Sequence, residues 1–129
     1  FENNTDVFKT GRVSSKGVSQ ILKLSKALIA PSRYEGNALV LLEALAHGVP
    51  VVSTRVGAVD FLSPEIQGLF IIDDPTPEAI VAAIKKIESL PTDSTSRQMR
   101  ATKNRSLLHT WHDVAKIALS AVKEAQRKK

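Results

Sequence analysis

Two carboxylates eight positions apart, Glu35 and Glu43, stand in the stretch from Pro31 to Thr54, PSRYEGNALVLLEALAHGVPVVST, and they are the side chains here best placed to do chemistry. Glu43 interrupts the run from Ala38 to Ala46, in which every other residue is apolar. The helix that carries it is therefore expected to lack a polar face that could deliver the charge to water. Burying an unpaired carboxylate costs several kcal/mol, a large share of a small domain's stability. Something polar must then meet Glu43. In a purely structural arrangement that partner is a buried Arg or Lys, and Gly36 merely permits a tight turn. Paired glutamates also suggest glycoside hydrolysis by acid and base, but one of them lies within a helix and neither shows the cleft context that reaction needs.

The elements that position the pair are well signposted. Ala and Leu are strong helix formers, Asn37 can serve as N-cap, and Gly48 falls where a glycine stops a helix, which predicts a helix from about Ala38 to His47. An apolar run, Ala27 to Ala30, precedes it and is closed by Pro31; Val49-Pro50-Val51-Val52 follows. The order strand, loop, helix, strand is that of a βαβ unit. Its first loop, with Glu35 and Gly36, lies at the carboxyl end of a parallel strand and at the start of a helix. Free amides and the helix dipole there favour an anion, and a phosphate is the natural guest.

The pattern Pro31-Ser-x-x-Glu35-Gly36, followed by Glu43-Ala44-x-Ala46-x-Gly48-x-Pro50-Val51-Val52, resembles the donor-binding signature of retaining GT-B glycosyltransferases of the large group often called family 4. The resemblance implies that Glu35 touches hydroxyls of the donor sugar and acts at the catalytic centre. It implies that the backbone of Gly36, Asn37, Ala38 and Leu39 faces the sugar and diphosphate, and that Glu43 holds the nucleotide ribose. The chain departs from the family where Asn37-Ala38 replaces Phe-Gly or Phe-Pro, and where Gly57-x-x-Asp60 replaces Gly-x-x-Glu. These departures bear on the sugar, not on the family.

Upstream, residues 7 to 13 look like a strand running into a loop, and Ser15 is a candidate N-cap for an amphipathic helix over about residues 16 to 26, with Val18, Ile21, Leu22 and Ser25 on one face. Phe8-x-x-Gly11-x-Val13 also resembles the family, whose backbone at this loop faces the nucleotide base; Arg12 and Val13 are thus further candidates, with a plain strand end as the alternative. In the family's doubly wound order two strands absent from this chain would lie between the strand at 7 to 13 and the one at 27 to 30. Downstream, Gly57 would let the backbone approach a ligand, and Asp60 could accept a hydroxyl hydrogen bond or cap the helical turn that follows.

Leu69 to Ile72 reads as a buried strand, and Thr76-Pro77-Glu78 starts a helix whose stripe is Ile80, Val81, Ile84 and Ile87. A polar helix is expected around 95 to 107, and a capping box at Thr110 to Asp113 opens a last helix lined by Trp111, Val114, Ala115, Ala118, Val122 and Ala125.

The 129 residues suit one core, and the absence of cysteine excludes a disulfide framework and a thiolate nucleophile. The histidines, His47, His109 and His112, have no metal-ligand spacing, and His47 suits a helix C-terminus. No dinucleotide, P-loop or serine-hydrolase motif is present. The net charge of +5 is uneven: residues 97 to 129 hold nine Lys and Arg against Asp113 and Glu124, a net +7, so the first 96 residues sum to −2. Without interleaved aromatic residues this basic end does not read as a nucleic-acid platform. It reads mainly as solvated helix faces, with contact at an anionic membrane surface as the other option.

The expected fold is α/β, a Rossmann-like parallel sheet flanked by helices. The resemblance implies a partial C-terminal nucleotide-sugar-binding domain of a GT-B fold over residues 1–129, with a core at 7–90 and C-terminal helices at 94–127. It further implies transfer of a hexosyl group from a UDP-, GDP- or ADP-hexose, no metal or other cofactor, and a sugar, lipid or glycan acceptor bound by an N-terminal domain that this chain does not contain; the absence of cysteine suits a cytoplasmic setting, with peripheral contact at the cytoplasmic membrane face as an option. A non-catalytic nucleotide-sugar-binding or interaction module is the alternative, and a basic membrane-surface or nucleic-acid-binding domain a second.

Overall fold

Ser14 opens the first helix: its hydroxyl accepts from the Gly17 amide at 3.3 Å and its carbonyl takes the first helical hydrogen bond, from Val18. The computed structural model describes residues 6–35 and 39–109 and, beyond them, positions 113, 115, 116, 119, 120 and 127, which are helical. In chain order the elements are α1 (Ser15–Leu24), β1 (Leu28–Ala30), α2 (Leu39–Ala46), β2 (Val51–Thr54), a 3₁₀ turn (Gly57–Phe61), β3 (Leu69–Ile72), α3 (Pro77–Glu88) and α4 (Ser94–Leu107). The cap of α1 sits one residue before the expected Ser15. The capping box at Thr110 and most of the stripe of the last helix fall outside the described residues.

The three strands form a parallel sheet in the order β1-β2-β3, with Leu28 opposite Val51 and Val51 opposite Leu69. All four residues of β2 are buried, as a central strand covered on both faces requires. Its alternation divides the core. Val51 joins Leu22, Leu41, Ala44, Leu45 and Val49 on the side of α1 and α2, whereas Val52 joins Ile72, Ala83 and Ile87 on the side of α3. The stripe of α3 runs through Ala83 rather than Val81, which is half exposed.

Residues 7 to 13 do not form the expected strand. They are irregular, with Phe8 87% exposed, and among the described residues β1 pairs only with β2. A strand needs both a ladder partner and an apolar face to bury, and this segment finds neither among the described residues.

The polar helix α4 docks largely by hydrogen bonds, with Ala101 buried and Leu107 packed against the core. Arg97 donates to the carbonyls of Leu22 (2.7 Å), Ser25 (3.3 Å) and His47 (3.3 Å), and Arg100 donates to those of Gly48 (3.4 Å) and Pro91 (3.0 Å). Most of these acceptors lie at the C-terminal ends of α1 and α2, where carbonyls have no partner within the helix. Two of the basic residues read from the sequence as solvated are therefore structural donors. Asn104, fully buried, donates to Leu45 and Gln67 carbonyls and accepts from the Gln67 amide at 2.8 Å.

Candidate functional site

Parallel pairing puts the carboxyl ends of β1 and β2 at one edge of the sheet, and the loops that leave them enclose an open cleft of about 480 Å³. It is lined by Arg33, Tyr34 and Glu35 from the first loop and by Arg55, Val56, Gly57 and Asp60 from the second. In open parallel sheets this edge is where ligands bind, because loops diverge there and backbone groups are left free.

Glu35 is exposed in the cleft, and one of its oxygens accepts from the Ser32 hydroxyl at 3.1 Å. Gly57 has φ +57, a conformation that a residue with a side chain adopts only under strain, and it starts the 3₁₀ turn that contains Asp60. Among the described residues Asp60 caps no helical turn; its carboxylate meets the Arg55 guanidinium at 3.4 Å, an exposed pair of small energetic weight. Arg33 and Arg55 thus bring two cations to a cleft whose other charged groups are Glu35 and Asp60.

Glu43 is exposed, and this overturns the expectation that it is buried and must meet a polar partner. The all-apolar run implied a helix covered on every side, but Leu39 (52% exposed) and Val40 (39%) share an uncovered face of α2 with Glu43 at helical spacing. Among the described residues Glu43 makes no hydrogen bond or ion pair. Leu39, the first residue of α2, stands one turn before it on the same face. Gly36, Asn37 and Ala38 lie outside the described residues.

Arg12 and Val13 stand just before α1 and do not line the cleft. His47, at the end of α2, bonds the Ser19 hydroxyl at 2.9 Å. No described helix is long and apolar enough to cross a membrane.

Glu35, Gly57 and Asp60 stand out as candidates in the sequence; Arg33, Tyr34 and Arg55 do not. The two arginines closely follow the ends of β1 and β2, so their positions in the βαβ pattern were the available signal. Ser32, in the sequence only part of the motif's frame, is here the partner of Glu35.

The family model described as Glycosyl transferases group 1 matches residues 1–106. The chain is 33% identical over 107 residues to a component of the phosphatidylinositol N-acetylglucosaminyltransferase of Arabidopsis thaliana, covering 82% of this chain and 23% of that protein. It is 30% identical over 114 residues to a GDP-mannose-dependent alpha-(1-6)-phosphatidylinositol dimannoside mannosyltransferase of Mycobacterium tuberculosis, covering 88% and 29%. Over 66 residues it is 42% identical to the Lipopolysaccharide core biosynthesis mannosyltransferase LpsB of Rhizobium meliloti, covering 49% and 19%. The chain therefore spans less than a third of the length of each of these relatives.

Proposed function

The chain belongs to the glycosyl transferases group 1 family, and from that premise we propose that it forms the donor-binding part of a retaining GT-B glycosyltransferase, which moves a hexosyl group from a nucleotide-sugar to an acceptor. The observation that carries this reading is the meeting of two loops in one cleft, Glu35 from the first and Gly57 and Asp60 from the second, at the carboxyl edge of a parallel sheet.

In this reading Glu35 holds hydroxyls of the donor sugar so that the anomeric carbon faces the incoming acceptor oxygen, a positioning effect worth many kcal/mol when the geometry is held tightly. Glu43 holds the nucleotide ribose from the open face of α2, where its exposure leaves both carboxylate oxygens available to a ligand. The start of α2 and the guanidinium groups of Arg33 and Arg55 offset the charge that grows on the departing nucleoside diphosphate. One relative's name includes GDP-mannose, and two include phosphatidylinositol, which supports a nucleotide-sugar donor and a lipid or glycan acceptor. The acceptor is proposed to sit on residues outside this chain, at the cytoplasmic face of a membrane.

The test is to incubate the full-length protein with UDP-, GDP- and ADP-hexoses in turn and to measure nucleoside diphosphate release and the anomeric configuration of the product. Release from one donor class with retained configuration is expected. Release from none, or an inverted product, would overturn the reading.

A further inference from the structure

We propose that Ser32 is the positioning residue for Glu35, and that it is itself held in place by Thr54 at the end of the central strand; this rests on the donor-site reading of Glu35. Glu35 lies in an exposed loop, and a free glutamate side chain would spread over many rotamers. The one hydrogen bond its carboxylate makes among the described residues comes from the Ser32 hydroxyl, to Oε1 at 3.1 Å. Binding one oxygen fixes the direction of the carboxylate and leaves Oε2 to accept from a sugar hydroxyl.

A hydroxyl can orient another group only if its own backbone is fixed. The Ser32 carbonyl accepts a hydrogen bond from Thr54 Oγ1, which links the first cleft loop to the end of β2. Thr54 is 4% exposed and is the last residue of β2, paired in register with Ile72. Its carbonyl in turn accepts from the Ser53 hydroxyl and from the Val56 amide, both at 3.0 Å. Being β-branched, Thr54 is stiff about χ1, so its hydroxyl direction is set by the strand. A line of hydrogen bonds thus runs from the rigid centre of the sheet through Thr54 and Ser32 to the carboxylate. The same Thr54 bond ties the first loop to the end of β2, from which the second loop with Asp60 departs. Small displacements matter at such a site, since misplacement by about 1 Å can cost on the order of a hundredfold in rate.

The experiment is a double-mutant cycle in the full-length protein, reading nucleoside diphosphate release from whichever of UDP-glucose, GDP-mannose and ADP-glucose it consumes, together with the affinity for the free nucleoside diphosphate. Ser32→Ala is expected to lower kcat by about tenfold to a hundredfold with little change in nucleoside diphosphate affinity. Ser32→Thr, which keeps the hydroxyl, is expected to recover most of the loss. In a Glu35→Ala background Ser32→Ala is expected to cost nothing further, because the group it positions has gone. An equal loss in both backgrounds, or a loss of free-nucleotide affinity, would overturn the role of Ser32. If instead Glu35→Ala leaves kcat unchanged, or none of the three donors is consumed, the donor-site reading itself fails.

Discussion

Glu35, in the loop after β1, and Asp60, in the 3₁₀ turn after β2, line the same cleft because the two strands run parallel and end at one edge. Glu35 is accessible and takes no part in the core. Glu35→Ala in the full-length protein is therefore expected to leave folding and free nucleoside diphosphate binding nearly unchanged while depressing turnover. Equal losses of free-nucleotide and nucleotide-sugar binding would contradict its assignment to the sugar.

At Gly48, just past the end of α2, the backbone of α4 lies close against the turn. The φ of Gly48 is +68, and a Cβ there would run into the Arg97 carbonyl oxygen and come within 3.0 Å of the Ala101 amide nitrogen. Gly48→Ala is expected to destabilise the fold by more than about 1 kcal/mol, from the left-handed backbone alone and further from the clash. The urea unfolding midpoint measures this, and an unchanged midpoint would show that α4 does not press on this turn.

Asn104 fills a fully buried site and answers both polar groups of the Gln67 backbone. Asn104→Ala removes the buried bond to the Leu45 carbonyl together with the part-buried bonds to the Gln67 carbonyl and amide, at an expected cost of about 1–3 kcal/mol. Asn104→Asp keeps an acceptor for that amide but loses both donated bonds and adds a charge, so it is not expected to rescue stability. Thermal unfolding of the two variants beside the parent checks both statements.

Two exposed carboxyls are held below their ordinary range: Asp93 by accepting from Ser96 at the start of α4, and Glu65 by the hydrogen bond and charge of Lys103. Both are depressed in the folded state, so their contribution to stability is present above the ordinary values of 3.8 and 4.5 and is lost as pH falls through the lowered ones. Asp93→Ser keeps a capping oxygen that does not titrate. Its stability is expected to fall less than the parent's between about pH 5 and about pH 2. Urea midpoints across that window with identical slopes in the two proteins would contradict the assignment.

The βαβ unit around Glu35 was legible because local signals agreed: an apolar run closed by Pro31, strong helix formers, a stopping glycine at Gly48 and a β-branched run after it. The parallel sheet followed from that order. The segment at 7 to 13 misled because apolar and β-branched residues at Val7, Phe8 and Val13 satisfy a strand pattern whether or not a partner strand exists, and pairing is not a local property. Glu43 misled for a related reason. Apolar residues on every side of a helix imply full cover only when neighbouring elements are present, and in this chain nothing described fully covers Leu39 and Val40. The docking of α4 was hidden because Arg97, Arg100 and Asn104 look like surface residues until the carbonyl ends of α1 and α2 are set beside them.

In the proposed function α2 presents Glu43 to the nucleotide of a sugar donor. Glu43 is exposed and bonds no described residue, so Glu43→Gln is expected to leave the unfolding temperature unchanged. Calorimetric titration of the full-length protein and this variant with the nucleotide-sugar it consumes is the most direct measurement. Affinity is expected to weaken by about tenfold to a hundredfold, the loss of a charge-assisted hydrogen bond worth about 1.5–3 kcal/mol. Donor affinity equal to that of the parent protein would contradict this role of Glu43.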